Sequence, residues 1–433
     1  MNLKKTGVSV LPFRPYVYNK KIVDIKDVVA PPYDVITEEM QNELYGKSDF
    51  NIVRLEFGKE FENDTEKENK YYRADGIFKD WIDTGALELE PEDSIYIYTQ
   101  RFYINNVPHE RIGFLSLFLL PETQNNKSIY GHETTLSKPK EDRFKLVNAT
   151  KANFSPIFSV FEDKNSAVLE ILKKSIRDGI AVLLYDFNDE KNIKNVLYRL
   201  SDKDSIKFIR DEMKEKSVYI ADGHHRFETY MNFRDYVKEQ GITGINADSC
   251  LMYFAPSNQE GLVILPTHRG ITGKSIEPEA FLDGIKEDFD YKEVSFADIL
   301  KENKKSGKNG VSFGFAHNSG RGFILSFKKN SGGSDDNPLK TLDVSILEAY
   351  VLKKALNITQ NEIDAQRYLV YEKDAEKALE KVKNGGLEAV FFMNPASIED
   401  VIKIASLNLR MPQKSTYFYP KIITGLTINS LKI

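Results

Sequence analysis

Near the middle of the 433-residue chain, Asp222-Gly223-His224-His225-Arg226 puts a carboxylate, a glycine and three nitrogen-rich side chains in consecutive positions. The apolar run Val218 to Ile220 stops here, and Phe227, Tyr230, Met231 and Phe233 resume at helical spacing, so the stretch reads as a strand–turn–helix junction. Gly223 supplies the backbone freedom that such a turn needs. The first amides of the new helix lack carbonyl partners and lie at the positive end of its dipole, which favours an anion. With His224, His225 and Arg226 added, phosphate is the natural ligand. Neutral histidines donate one hydrogen bond each and bring no charge, so Arg226 and the helix end are expected to carry most of the attraction.

Other stretches could join this turn. Ala30-Pro31-Pro32-Tyr33-Asp34 is stiff and would hold Tyr33 and Asp34 at low entropic cost, although a plain structural turn weighs equally. Thr267-His268-Arg269-Gly270 follows a proline at a strand end, a placement suited to binding carboxylate or phosphate, with an exposed pair as the alternative. Met411 to Ile422 carries Lys414, Ser415, Thr416 and Lys421 among prolines and tyrosines, a stiff cationic segment able to cover an anion or simply to pack by its aromatics. Glu133, Arg143 and Asn153 stand apart from the charge run Lys138 to Glu141, itself expected to be a solvated loop. His132-Glu133-Thr134-Thr135 begins like a zinc-protease helix, but Leu136 occupies the place of the second histidine.

Positioning these residues requires alternating helices and strands. Short extended pieces cut by prolines fill 8–18; a half-buried strand is expected at 51–57 and a helix over 65–83 with Trp81 in the core. Strands 94–103 and 107–120 flank Asn105-Asn106 as a hairpin. A helix over 167–181, a strand 180–185 and a further helix and strand near 196–208 precede the junction. Strands 251–255 and 262–266 are expected to pair around Asn258-Gln259-Glu260-Gly261. Beyond Ile276 the composition changes: 301–310 and 328–338 read as loop tips around strands 310–315 and 323–327, followed by helices 345–356 and 375–383 and a strand 387–393. The alternation argues for an α+β (mixed α/β) fold. The expected domains are 1–276, 277–337 as a small α+β subdomain, and 338–433 packing back on the core.

Hydrophobic residues at 41% and charged residues at 29% match an ordinary globular protein of two or three domains. The net charge of −5 gives no chain-wide basic footprint for duplex DNA, so nucleic acid is not the expected partner. Cys250, alone of its type, lies in an apolar run and reads as inert core packing. No apolar stretch reaches the length of a membrane span, and the basic N-terminus lacks the apolar region of a signal peptide, so the expectation is a cytoplasmic protein.

Several blocks match together. Ala-Pro-Pro-Tyr-Asp-Val-Ile at 30–36, Ala-Asn-Phe-Ser-Pro-Ile-Phe at 152–158, Ala-Asp-Gly-His-His-Arg-Phe-Glu-Thr at 221–229, Leu-Pro-Thr-His-Arg at 265–269 and Pro-Gln-Lys-Ser-Thr-Tyr-Phe-Tyr-Pro-Lys at 412–421 resemble the prokaryotic domain-of-unknown-function family ten-fifteen. Its members often carry a ParB-like or SpoOJ-like label. The Asp-Gly-His-His-Arg block is also similar to the signature of the ParB/sulfiredoxin superfamily, most closely the form in its free serine kinases. That likeness implies a ParB/sulfiredoxin-like core elaborated by further α/β segments, with Asp222 to Arg226 as the phosphate-binding turn. The turn lacks a cysteine, which argues against sulfiredoxin chemistry.

The resulting expectation is a phosphotransferase acting on a small hydroxyl-bearing metabolite such as free serine, with ATP, ADP or pyrophosphate as donor and Mg²⁺ as cofactor. Asp222, His224, His225, Asp34 and Glu133 are its candidate catalytic residues; Asp222 would hold the metal or act as base, with Asp34 or Glu133 in the other role. Gly223, His224, His225, Arg226, His268, Arg269, Lys414, Ser415 and Thr416 would bind phosphate or nucleotide, and Tyr33, Arg143 and Asn153 the substrate. A homodimer is compatible with the sequence. The rival reading is a ParB-like nucleotide-binding switch that binds DNA or a protein without metabolite turnover.

Overall fold

Asn105 and Asn106 both adopt left-handed backbone (φ 50° and 64°), the requirement of a tight hairpin turn, and Ile95–Ile104 pairs antiparallel with Val107–Leu119 as expected. This hairpin lies within a nine-stranded sheet in the computed structural model, which describes residues 7–122, 128–133, 137–328 and 337–433. The sheet runs Ile129–Tyr130, Val218–Asp222, Ile157–Phe161, Ser249–Pro256, Val107–Leu119, Ile95–Ile104, Lys194–Leu200, Val182–Asn188, with Val10–Leu11 also pairing with Val107–Leu119. Parallel and antiparallel pairings coexist: Ser249–Pro256 is parallel to Ile157–Phe161 and antiparallel to Val107–Leu119. The fold is therefore mixed α+β.

The chain divides into two units. The first takes residues from 1–131, 135–263 and 420–433, and the second from 132–134 and 264–419. In the first unit, His224–Glu239 packs on the helix Ser137–Thr150, with Phe144 edge-on to Phe233 and Tyr236 at 6.0 and 5.5 Å. Ser137–Thr150 packs in turn on Lys70–Asp83, whose Ala74, Phe78 and Trp81 are buried. Cys250 is fully buried in Ser249–Pro256, and burial raises its thiol well above the ordinary range. Among the described residues, no helix is long and apolar enough to cross a membrane.

The second unit holds a six-stranded antiparallel sheet in the order Phe289–Val294, Gly322–Phe327, Ser312–His317, Ala389–Phe392, His268–Ile271, Leu369–Glu372. Residues 277–337 supply the first three of these strands and later and earlier segments the rest. Phe315 lies between Phe281 and Phe391 at centroid distances of 4.7 and 5.0 Å, and the opposite core is built from residues such as Ile299, Ala378, Val382 and Val390.

Several local expectations are corrected. Residues 51–57 form no strand but a helical turn, Val53–Glu56: the fully buried Asn51 side chain accepts from Val53 N at 3.0 Å, and Val53, Leu55 and Glu56 are all buried, so the apparent alternation has no solvent face. The 65–83 helix begins at Lys70, where the Asn69 side chain caps Tyr71 N at 3.0 Å. Lys138 to Glu141 are no loop; they lie in the helix Ser137–Thr150, with Lys140 paired to Glu228 at 2.9 Å. Near 196–208 the order is strand then helix, because Asp202 caps Lys203–Met213 through Ser205 N at 2.8 Å. Strand 251–255 does not pair with 262–266; its neighbours are Ile157–Phe161 and Val107–Leu119. Residues 301–310 continue the helix Ile299–Gly307, and most of 345–356 is a π-helix, Leu347–Ala355. Of the other stretches read above, 1–5, Thr134 to Leu136 and 329–336 lie outside the described residues.

Candidate functional site

The junction forms as its residue types dictate. Val218–Asp222 is a buried strand down to its final residue, Gly223 turns at φ 91°, and His224–Glu239 runs on as a sixteen-residue helix. A Cβ at Gly223 would lie 2.9 Å from Arg226 Nη2 and 3.0 Å from its Nε, so a side chain there would push the guanidinium from its place across the turn. Arg226 Nη2 donates to Asp222 Oδ2 at 2.8 Å and Nη1 to the Pro156 carbonyl at 2.7 Å. Its buried Nε–H has no acceptor among the described residues. Burial disfavours the charge on Arg226, but Asp222, then Asp34, Tyr33 and Glu56, outweigh it and raise the guanidinium above its ordinary value.

The other oxygen of Asp222 pairs with Lys421 Nζ, brought from 199 residues away. One carboxylate thus carries two cations at the start of a helix. His224 is buried and His225 half-buried within that first turn.

Around the junction, the first unit gathers a second layer. The Arg143 guanidinium lies over the ring of Tyr33, 4.1 Å from its centroid, and burial pushes the phenol up to about 12. Arg143 donates to the Glu56 carbonyl at 2.7 Å and to Asp142 Oδ2, and it pairs with Glu56 Oε1 at 3.3 Å. Ser155 Oγ donates to the same Glu56 oxygen at 2.7 Å. Burial raises Asp142, but Arg143 and Lys70 overcome it and hold the carboxyl at about 2. Asp34 is exposed on the 3-10 turn Tyr33–Val35, near enough for its charge to act on Arg226. Asn153 clips strands together: its Oδ1 accepts from Leu251 N at 3.2 Å and from Asn429 Nδ2 at 3.0 Å.

The second unit gathers the remaining candidates. His132 Nε2 and Thr416 Oγ1 are 2.9 Å apart, and Glu133 follows His132 half-buried. His268 Nδ1 accepts from Met393 N at 3.1 Å; burial, then Arg269, lower its pKa to about 4, so the ring is neutral with its proton on Nε2. Arg269, buried on the face of Tyr371 and lowered to about 10 by burial, donates to the carbonyls of Thr267, Gln413 (3.3 Å) and Lys414 (3.2 Å). Lys414 takes φ 55°, and Ser415 Oγ donates to the Pro412 carbonyl at 2.5 Å. Arg269 and Ser415 line a cavity of about 70 Å³ together with Asp343, Asn394 and Asp400. Burial pushes Asp343 up to about 6.

Sequence reasoning missed Glu56 and Asp343, and it counted Lys421 only as part of the cationic 411–422 segment. Glu56 was masked by an alternation read as a strand. Lys421 closes the Tyr-Phe-Tyr-Pro-Lys block, and its proline was the available signal for a fixed position. Nothing local marks Asp343.

The strand-to-helix turn, set in a mixed α+β sheet, brings one acid and two cations together. The chain belongs to the family described as protein of unknown function (DUF1015), which matches residues 10–345. No curated protein matches it. Among solved structures it is similar to a free serine kinase in complex with AMP, at 12% identity and a TM-score of 0.36 over 70% of this chain and 88% of that one. A conserved hypothetical protein from Pyrococcus furiosus has 14% identity and a TM-score of 0.34, covering 70% and 92%. SbnI with a C-terminal truncation, from Staphylococcus aureus, has 9% identity and a TM-score of 0.34, covering 70% and 83%. Scores of this size assign no residue roles.

Proposed function

We propose that this protein is a phosphotransferase that binds a nucleotide or another phosphoanhydride at the Asp222–Arg226 turn and transfers a phosphoryl group to a small hydroxyl-bearing metabolite, free serine or a relative. The observation that carries the reading is the junction itself. An orphaned, buried Arg226 Nε–H, a glycine where any side chain would strike the guanidinium, and two cations on one acid fit a phosphate. The likeness of the turn to the ParB/sulfiredoxin signature points the same way.

Mg²⁺ does not fit Asp222. Both carboxylate oxygens are engaged by cations, and the described residues contain no group of three or more His, Cys, Asp or Glu side chains able to hold a metal. No step is therefore routed through a metal. The same two cations weaken Asp222 as a base, which leaves the exposed Asp34 for that role in the first unit. In the step proposed, the acceptor hydroxyl oxygen forms a bond to the terminal phosphorus of the donor, the bond from that phosphorus to the bridging oxygen breaks, and the hydroxyl proton passes to the Asp34 carboxylate. His268, Arg269, Lys414, Ser415, Thr416 and Glu133 remain second-unit candidates for ligand contacts.

Purified protein incubated with ATP, ADP or pyrophosphate against amino acids and polyols should yield a phosphorylated acceptor by mass spectrometry. Asp34→Asn should lower turnover by about 10²-fold or more while leaving donor affinity within about twofold. Absence of product with every donor, together with tight, salt-sensitive binding to duplex DNA, would replace this reading with the nucleotide-dependent switch.

A further inference from the structure

In the first unit two fully buried polar side chains, Arg111 and Gln100, reach the backbone beside Lys421, and a third, Asn195, backs Gln100. Arg111, Gln100 and Asn195 are each without exposed surface. Arg111 donates to Gln100 Oε1 and, at 2.5 Å, to the Pro420 carbonyl; its guanidinium lies 4.7 Å from the ring centroid of Phe158. Gln100 Nε2 donates to the Lys421 carbonyl and to Asn195 Oδ1, both at 3.1 Å, and Tyr98 OH donates to that same Asn195 oxygen at 2.5 Å. Burial lowers the pKa of Arg111, a measure of how unfavourable the site is for a cation.

Burying a guanidinium and two amides this completely is costly, and apolar side chains would fill the same space at less cost. What the polar row provides is a grip on two successive carbonyls, those of Pro420 and Lys421, which proline further stiffens. The register of Lys421 is fixed from behind while its ammonium reaches Asp222.

The two cations on Asp222 are held differently. Arg226 is anchored by Asp222 and the Pro156 carbonyl and folded across Gly223, the position of a strut. Lys421 ends in a compact ammonium on a flexible stem, able to turn from a carboxylate to a phosphate oxygen without dismantling the turn. Building on the phosphotransferase reading, we propose that Lys421 makes the main charged contact to the phosphate of the ligand, with the Arg226 Nε–H adding one hydrogen bond, and that Arg111 and Gln100 are the positioning residues that hold Lys421 in register. Arg226 then maintains the geometry rather than carrying the main attraction, the reverse of what the motif suggests in isolation.

Calorimetric titration of the full chain with ADP and with pyrophosphate tests this. At a temperature where circular dichroism shows each variant folded, Lys421→Met should weaken both ligands tenfold or more, and Lys421→Arg should restore part of the loss. Gln100→Ala should weaken binding when Lys421 is present and have no further effect in the Lys421→Met background, a non-additivity that general destabilisation would not produce. Wild type binding either ligand with Lys421→Met within twofold of it overturns the proposal alone. If neither ligand binds the wild type, the proposal falls together with the phosphotransferase reading. Lys421-dependent binding without transfer to any acceptor supports the proposal and removes only that reading.

Discussion

Asp222 is balanced by Arg226 on one oxygen and Lys421 on the other, and all three side chains are largely buried. Asp222→Asn would leave two buried cations facing an amide. A loss of about 2–4 kcal/mol in unfolding free energy is expected, read by denaturant titration. Two other carboxyls give opposite pH signatures. Asp343, pushed up to about 6 by burial from an unfolded value near 3.8, binds its proton more tightly when folded, so its contribution favours the folded state at low pH and falls as pH rises through about 4 to 6. The advantage of Asp343→Asn over wild type should therefore grow by about 2 kcal/mol between pH 4.5 and 7.5. Asp142, held at about 2, contributes stability that is complete above about pH 4 and lost as pH falls toward 2, and Asp142→Asn should abolish that part of the acid sensitivity.

At the scale of elements, the turn depends on a glycine for two separate reasons. Its φ of 91° disfavours any L side chain, and a Cβ would meet the Arg226 guanidinium at 2.9 Å. Gly223→Ala should destabilise by about 1–3 kcal/mol and displace Arg226 from Pro156, visible as lower thermal stability and weakened ligand binding together. The hairpin turn behaves differently. Asn106 sits at φ 64° at a solvent-exposed turn, so Asn106→Gly should be neutral or slightly stabilising, a contrast that separates conformational demand from steric demand. Elements with a local signal were legible: the paired asparagines, the apolar run into Gly223, and the helix Ala375–Lys383. The turn at Val53–Glu56 was not, because Asn51 receives its partners from Asp27 and Val29, which no local window contains.

At the scale of the whole molecule, residues 420–433 return to the first unit and are tied in along their length. Thr424 bridges to Ala30, Ile428 to Tyr16, Asn429–Ser430 pairs with Ala152–Asn153, and Lys432 bridges to Ile245. Removing 420–433 takes away these pairings and Lys421 with them. The truncated chain is expected to be largely insoluble or to unfold more than about 10 °C below the full chain by differential scanning. A truncation at 431 keeps the Asn429–Ser430 pairing and should lower the midpoint by only a few degrees.

The sequence by itself determined the class of the fold, the strand–turn–helix at 218–239, the need for glycine at 223 and the family, since each rests on contiguous residues whose periodicity or order is visible along the chain. Tertiary structure alone decided how the charges are shared. Arg226 meets Pro156 and Asp222 in space, Arg143 and Glu56 are partners 87 residues apart, and Lys421 reaches Asp222 across 199 residues. A side chain's availability for chemistry depends on which partners surround it after folding, and long-range pairing of this kind leaves no trace in local spacing.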